Sequence, residues 1–166
     1  MIYKKSWLLA ILAIFGLTAC ATMQGGGQNL PLPNDISIVP PSPDLPKDLA
    51  AFSGKWAGRW SHGIDAMMIF EKIDKTEAVV LYSWGDNNAQ GIKAGFDRKK
   101  CQIISDSKPV IVMPQKGWGD QPAYLKMEDL NTVIGERKIL HGSWTGGGWT
   151  RPNSSTFYKV KFQRAN

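Results

Sequence analysis

From about Asp48 to Asn166 no hydrophobic period lasts long: apolar residues alternate over a short stretch, then Gly, Asn, Asp or Pro interrupts them. A period of two belongs to strands, whose successive side chains point to opposite faces, and it excludes long amphipathic helices over the same residues. The spacing predicts strands over 54–61, 65–74, 77–84, 91–99, 102–105, 110–113, 123–128, 138–145 and 156–163, with one helical turn possible at 48–52. Turn signals separate them at His62-Gly63, Asp74-Lys75, Gly85-Asp86-Asn87-Asn88 and Gly117-Trp118-Gly119-Asp120. The 17 Gly, 10 Pro and 7 Trp among 166 residues fit many short strands joined by tight turns. Eight or nine short strands in a domain of about 119 residues must manage exposed sheet edges, and closure removes them. The expected fold class is therefore all-β, a single antiparallel up-and-down β-barrel spanning 48–166.

The stretch Gly54-Lys55-Trp56-Ala57-Gly58-Arg59-Trp60 places Gly54, Trp56, Gly58 and Trp60 on one strand face, opposite Lys55, Ala57 and Arg59. Leu140, Gly142, Trp144 and Gly146 repeat the arrangement, and Tyr158, Val160, Phe162 and Arg164 share a face near the C-terminus. At these residues the chain resembles the calycins, the superfamily of lipocalins, fatty-acid-binding proteins and avidins. Their first strand carries Gly-x-Trp, matched by Gly54-Lys55-Trp56, and they often close one barrel end with a late Arg over that Trp. The resemblance implies structural closure by Trp56 and Arg164. The lipocalin Thr-Asp-Tyr segment and long C-terminal helix are absent, and the doubled Gly-x-Trp is closer to small lipocalin-like domains of bacteria.

The N-terminus reads as an address. Lys4 and Lys5 precede an uninterrupted apolar run from Trp7 to Leu17, the pattern of a secretory signal. Leu17-Thr18-Ala19-Cys20 then resembles the lipobox of bacterial lipoproteins, which implies cleavage after residue 19 and a lipid anchor on Cys20. Two or three acyl chains, such as palmitate, hold a protein durably, since each buried CH₂ contributes about 0.8 kcal/mol. Ala21, where Asp would signal inner-membrane retention, implies an outer-membrane lipoprotein of the cell envelope, facing the periplasm or the surface. Residues 20–47, with Gly25-Gly26-Gly27 and prolines at 31, 33, 40, 41, 43 and 46, are expected to form a disordered tether. Loss of 1–19 removes two lysines and no acid, leaving 18 basic against 14 acidic side chains. This mild excess and the secretory address argue against a nucleic-acid partner.

Candidate ligand-binding residues are the glycine-flanked Trp84, Trp118 and Trp149, placed to stack on a ligand, and Met68, Met113 and Met127, suited to a pliable apolar cavity. Catalytic and metal signatures are thin. His62 and His141 lack partners at zinc spacing, and no nucleophile elbow accompanies His62-Gly63-Ile64-Asp65 or Ser143. Asp86-Asn87-Asn88 lacks the spacing and the later Glu of a calcium loop, and Cys101 reads as a strand residue. No cofactor or metal is expected, and no enzymatic activity. The reading is a membrane-anchored lipoprotein whose barrel binds a small apolar or amphipathic ligand, such as a lipid. The alternatives are a glycan-binding module using its loop tryptophans and a structural envelope lipoprotein with a protein partner.

Overall fold

The computed structural model describes residues 30–105, 108–115, 120–141, 144–145, 148–149 and 154–166. A short helix α1 (Lys47–Ala50) leads into strands β1 (Gly54–Arg59), β2 (Asp65–Ile73), β3 (Glu77–Trp84), β4 (Gly95–Ser105), β5 (Pro109–Met113), β6 (Asp120–Asp129) and β7 (Thr132–His141). The two-residue strands β8 (Trp144–Thr145) and β9 (Gly148–Trp149) pair only with each other, and β10 (Ser154–Ala165) returns to the main sheet. That sheet closes in the order β1-β10-β7-β6-β5-β4-β3-β2, antiparallel throughout. The expected up-and-down barrel is the observed fold, with eight strands.

Strand boundaries shift by a few residues at several places, and two differ most. The predicted strands at 91–99 and 102–105 are one strand, β4, whose alternation carries Asp97, Lys99, Cys101 and Ile103 along a single face. Two charges on that face hid its continuity. Strand β7 starts at Thr132, well before the expected Lys138, because Asp129 Oδ1 accepts from the Asn131 N–H at 2.8 Å and makes the preceding turn tight. Gly135 then interrupts the apolar pattern for a packing reason: a Cβ there would lie 2.7 Å from Val160 Cγ1.

Side chains of one parity fill the barrel. Trp56, Phe52, Phe70, Phe162 and Met68 have no exposed surface and belong to one core with Val80, Ile111, Met113, Leu125 and Val133. The inward face expected for Trp56 and Trp60 is observed. Gly58 between them lets β10 approach, since a Cβ there would lie 2.5 Å from the Lys161 carbonyl oxygen. Gly54 starts β1 at φ +110°, a conformation that favours glycine.

The barrel has a base, closed by α1, and at its other end a mouth. The base holds α1 and the turns after β2, β4 and β6; the mouth holds the turns after β1, β3 and β5. At the base Leu49 and Phe52 are buried, and the Trp56 Nε1–H donates to the Phe52 carbonyl at 2.7 Å. The Arg164 guanidinium lies 4.3 Å over the Trp56 ring and donates to the carbonyls of Ala51, Ser53 and Leu130 at 2.8, 3.1 and 3.3 Å.

Residues 30–47, expected to belong to a disordered tether, instead run as a strap along the outside of the barrel. Ser83 Oγ donates to the Pro31 carbonyl at 2.7 Å near the mouth, and the Val39 N–H donates to the Glu71 carbonyl at 2.7 Å. Lys75 meets Asp44 at 3.3 Å near the base, where Leu45 joins the core. Between these ties Arg98 holds Asp35 and Glu71 together, at 2.8 Å each. Glu71 is the extra residue where the β2–β3 register shifts. Ile69 and Leu81 alternate with core residues and so point outward, yet neither has any exposed surface. The strap crosses their strands, and burying each such side chain contributes about 1.5–3 kcal/mol. Proline content suggested disorder, but Leu45 is buried in the core, Pro31, Pro33 and Ile36 are half-buried, and prolines lower the entropy lost on ordering.

Candidate functional site

The mouth opens on a pocket of about 360 Å³ lined by nine side chains from the barrel and its loops, a size within the range of small-molecule sites. One wall is apolar and aromatic. Tyr82 and Trp84, two positions apart on β3, stack with ring centroids 5.8 Å apart, and Ile64 and Ile92 extend that wall. The Trp84 indole donates to the Lys93 carbonyl at 2.8 Å and lies against Gly95, where an added Cβ would sit 2.8 Å from its Cζ2. The Tyr82 hydroxyl accepts from the Trp60 indole at 2.9 Å, and burial pushes its pKa up to about 12. It therefore stays a neutral hydrogen-bonding group.

The other wall carries charge. Asp97 and Lys99 point inward from β4, opposite Tyr82 and Val80 in register, and Arg137 and Gln115 complete the lining. The Lys99 side chain retains only 8% of its exposure, and its ammonium lies 3.4 Å from Asp97 Oδ2. An ammonium has three donors. Among the described residues that long contact is the one partner drawn for it, so the site holds a nearly desolvated cation able to take a further acceptor.

His62 forms the lip. Its ring packs on Tyr158 with centroids 4.1 Å apart, and its Nδ1 is buried without a hydrogen-bond partner among the described residues. Desolvation, then the positive charge of Arg137, lowers its pKa from 6.5. Asp65, three residues on, does not orient this ring: it meets Arg59 Nε at 2.9 Å. The loop after β3 braces itself. Asp86 Oδ1 accepts from the Ala94 N–H at 2.8 Å, Asn87 Oδ1 accepts from Gln90, and Asn87 Nδ2 donates to the His62 carbonyl. No group of three or more metal-ligating side chains occurs among the described residues.

Of the candidate ligand-binding residues, Trp84 lines the pocket. Met68 and Met113 do not: both are fully buried in the packed core. Met127 lies at the opposite end, where with Asp129 and Leu130 it lines a separate pocket of about 460 Å³. The methionines obey the inward parity, but at Met68 and Met113 that parity leads into a core filled by aromatic rings. Trp118 and Ser143 lie outside the described residues, as do Cys20 and the signal segment; of His141, Trp144 and Trp149 only the backbone is described. Cys101 is buried, and burial pushes its thiol up to about 12, which suits a core residue and not a nucleophile.

Tyr82, Asp97, Lys99, Gln115 and Arg137 were not singled out from the sequence. The available signal was polar residues at inward positions of a strand, and it was lost with the break placed inside β4 and the late start given to β7.

No protein-family model and no curated protein matches the chain. Among solved structures it is similar to a de novo designed fluorescence-activating β-barrel, with 15% identity and a TM-score of 0.47 over 73% of this chain and 100% of that one. It is also similar to the structure of EF1p2_mFAP2b bound to DFHBI, with 8% identity and a TM-score of 0.42 over 69% of this chain and 94% of that one.

Proposed function

We propose that this protein is an envelope lipoprotein, anchored through Cys20, whose barrel mouth binds a small amphipathic molecule without transforming it. The observation that carries the binding is the mouth pocket, where the Tyr82–Trp84 wall faces the nearly buried Lys99. An apolar or aromatic body packs on the first while a polar, preferentially anionic, head accepts from the second. Below the mouth pocket the barrel is filled by Trp56, Phe70, Met68 and Phe162, so a ligand there rests on the packed core. Support for the anchor is the signal pattern ending in Leu17-Thr18-Ala19-Cys20.

Both parts have direct tests. Intact mass of the membrane-extracted protein should show loss of residues 1–19 and addition of acyl chains, and Cys20→Ser should abolish both. An anilinonaphthalene sulfonate probe, which joins a planar apolar body to an anion, should bind the folded protein saturably. Lys99→Met should weaken that binding while the midpoint of the unfolding curve stays the same or rises. Saturable binding indifferent to Lys99→Met would place the ligand elsewhere.

A further inference from the structure

The strap determines where the chain leaves the barrel. Its first tie, Ser83 Oγ to the Pro31 carbonyl, lies at the mouth end of β3, one residue before Trp84. Its last, Lys75 to Asp44, lies at the base. The chain upstream of Leu30 therefore emerges beside the mouth. Ten residue steps separate Cys20 from Leu30, and ten steps span at most about 35 Å even when fully extended. Strand length from mouth to base is about 25 Å, taking β3 at its usual rise per residue. To turn the base toward a bilayer, the chain would have to run back along the whole barrel and spend most of its reach. A mouth turned toward the bilayer requires no such path.

The surface beside the exit suits such a neighbour. Leu32 is 39% exposed, and Phe96, the register partner of Ser83, is 45% exposed. Phe157 is 53% exposed near the mouth end of β10, with Lys138 Nζ 5.7 Å over its ring. An apolar ring with a lysine laid over it suits a headgroup boundary, where the ring meets acyl carbon and the ammonium stays hydrated.

We infer that the barrel mouth docks on the lipid surface that holds the protein's own anchor, so that the mouth pocket opens toward the bilayer. This rests on the anchoring proposed above. It assigns the strap a purpose that its proline content concealed: it moves the attachment point of the domain from the base to the mouth. The pocket then exchanges its ligand with the membrane surface rather than with bulk solvent.

The test uses the full lipidated chain in vesicles of phosphatidylethanolamine and phosphatidylglycerol. A thiol-reactive fluorophore is placed at Lys93→Cys, in the mouth loop, or at Leu130→Cys, on the base turn. Cys101 is buried and does not compete for label, and Cys20 carries the acyl chains. A headgroup-borne quencher should act several times more strongly at position 93 than at position 130. A Gly-Ser linker inserted between Gln24 and Gly25 keeps the anchor and the fold but frees the orientation, and should reduce that difference. Acylated protein that sediments with vesicles yet quenches equally at both positions overturns the docking and leaves the anchor standing. Absence of acyl mass on Cys20 overturns the anchor, and the docking with it.

Discussion

At the base of the barrel Arg164 lies across the Trp56 indole, and backbone carbonyls of Ala51, Ser53 and Leu130 accept its N–H groups. At the mouth Lys99 also points at an aromatic wall, but its ammonium has one long contact, to Asp97 at 3.4 Å. Both ends place a cation on an inward or closing position of the same closed sheet. One cation is satisfied by the segment that follows α1 and by the β6–β7 turn; the other is left with spare donors in a pocket of about 360 Å³. The exposed Arg164 has its donors taken and ties the elements around it together, whereas a nearly buried cation with donors to spare attracts a partner. Closure and binding thus come from one architecture, separated by what the adjoining turns supply.

The largest expected effect falls on the base. Trp56→Ala removes a fully buried indole, its hydrogen bond to Phe52 and the surface under Arg164, and should cost about 3–5 kcal/mol in a denaturant titration. Probe affinity of the molecules that remain folded should be unchanged. If the affinity falls with the stability, the two ends are coupled and the comparison breaks.

Next in size is Gly58→Ala, expected to cost about 1–3 kcal/mol through overpacking. The new Cβ meets the Lys161 backbone oxygen rather than a movable side chain. Equilibrium unfolding checks it, and a neutral result would show that β1 and β10 have room to separate. The complementary variant at the mouth is Lys99→Met. It should weaken the anilinonaphthalene sulfonate probe about tenfold or more, through loss of a charge-assisted contact, while leaving stability equal or higher, since a nearly buried cation is replaced by an apolar chain of similar length. Opposite signatures in these variants would sharpen the division between an end that stabilises and an end that binds.

That division was half legible in the sequence. Gly54, Trp56, Gly58 and Trp60 announce an inward face because alternation survives any error in where a strand ends. The Arg164–Trp56 contact was implied by resemblance to the calycins and is present in the geometry. The mouth was not legible, because its residues come from strands whose faces depend on placing boundaries correctly. With β4 broken near Lys100, Asp97 and Lys99 pass for a solvated run; within a continuous β4 they share the face of Cys101 and Ile103. Arg137 had the same fate, one residue outside the strand predicted over 138–145. The strap was misread for a different reason: composition measures how much apolar surface a segment carries, not whether a sheet elsewhere lacks cover. Ile69 and Leu81 lacked cover on the outer face of β2 and β3, and only the register shows it.

The smallest expected effect is a pH dependence confined to the mouth, and its sign follows from His62. Desolvation first, and the Arg137 charge second, depress the His62 pKa below 6.5 in the folded protein. Between that lowered value and 6.5 the unfolded chain binds more protons than the folded one, so folding loses stability as pH falls through this window and is unaffected above it. The melting temperature should therefore decline on acidification from neutrality, and His62→Phe should flatten the decline. Probe binding should respond in the opposite sense. Protonating His62 adds positive charge to a lip that already holds Lys99 and Arg137, so the affinity for an anionic probe rises while the fold weakens. Among the described residues no histidine lies at the Trp56–Arg164 base, and Trp56→Ala should shift the whole melting curve without altering its pH slope. A slope that disappears in Trp56→Ala but survives in His62→Phe would move the titrating group to the base and reverse the roles given to the two ends.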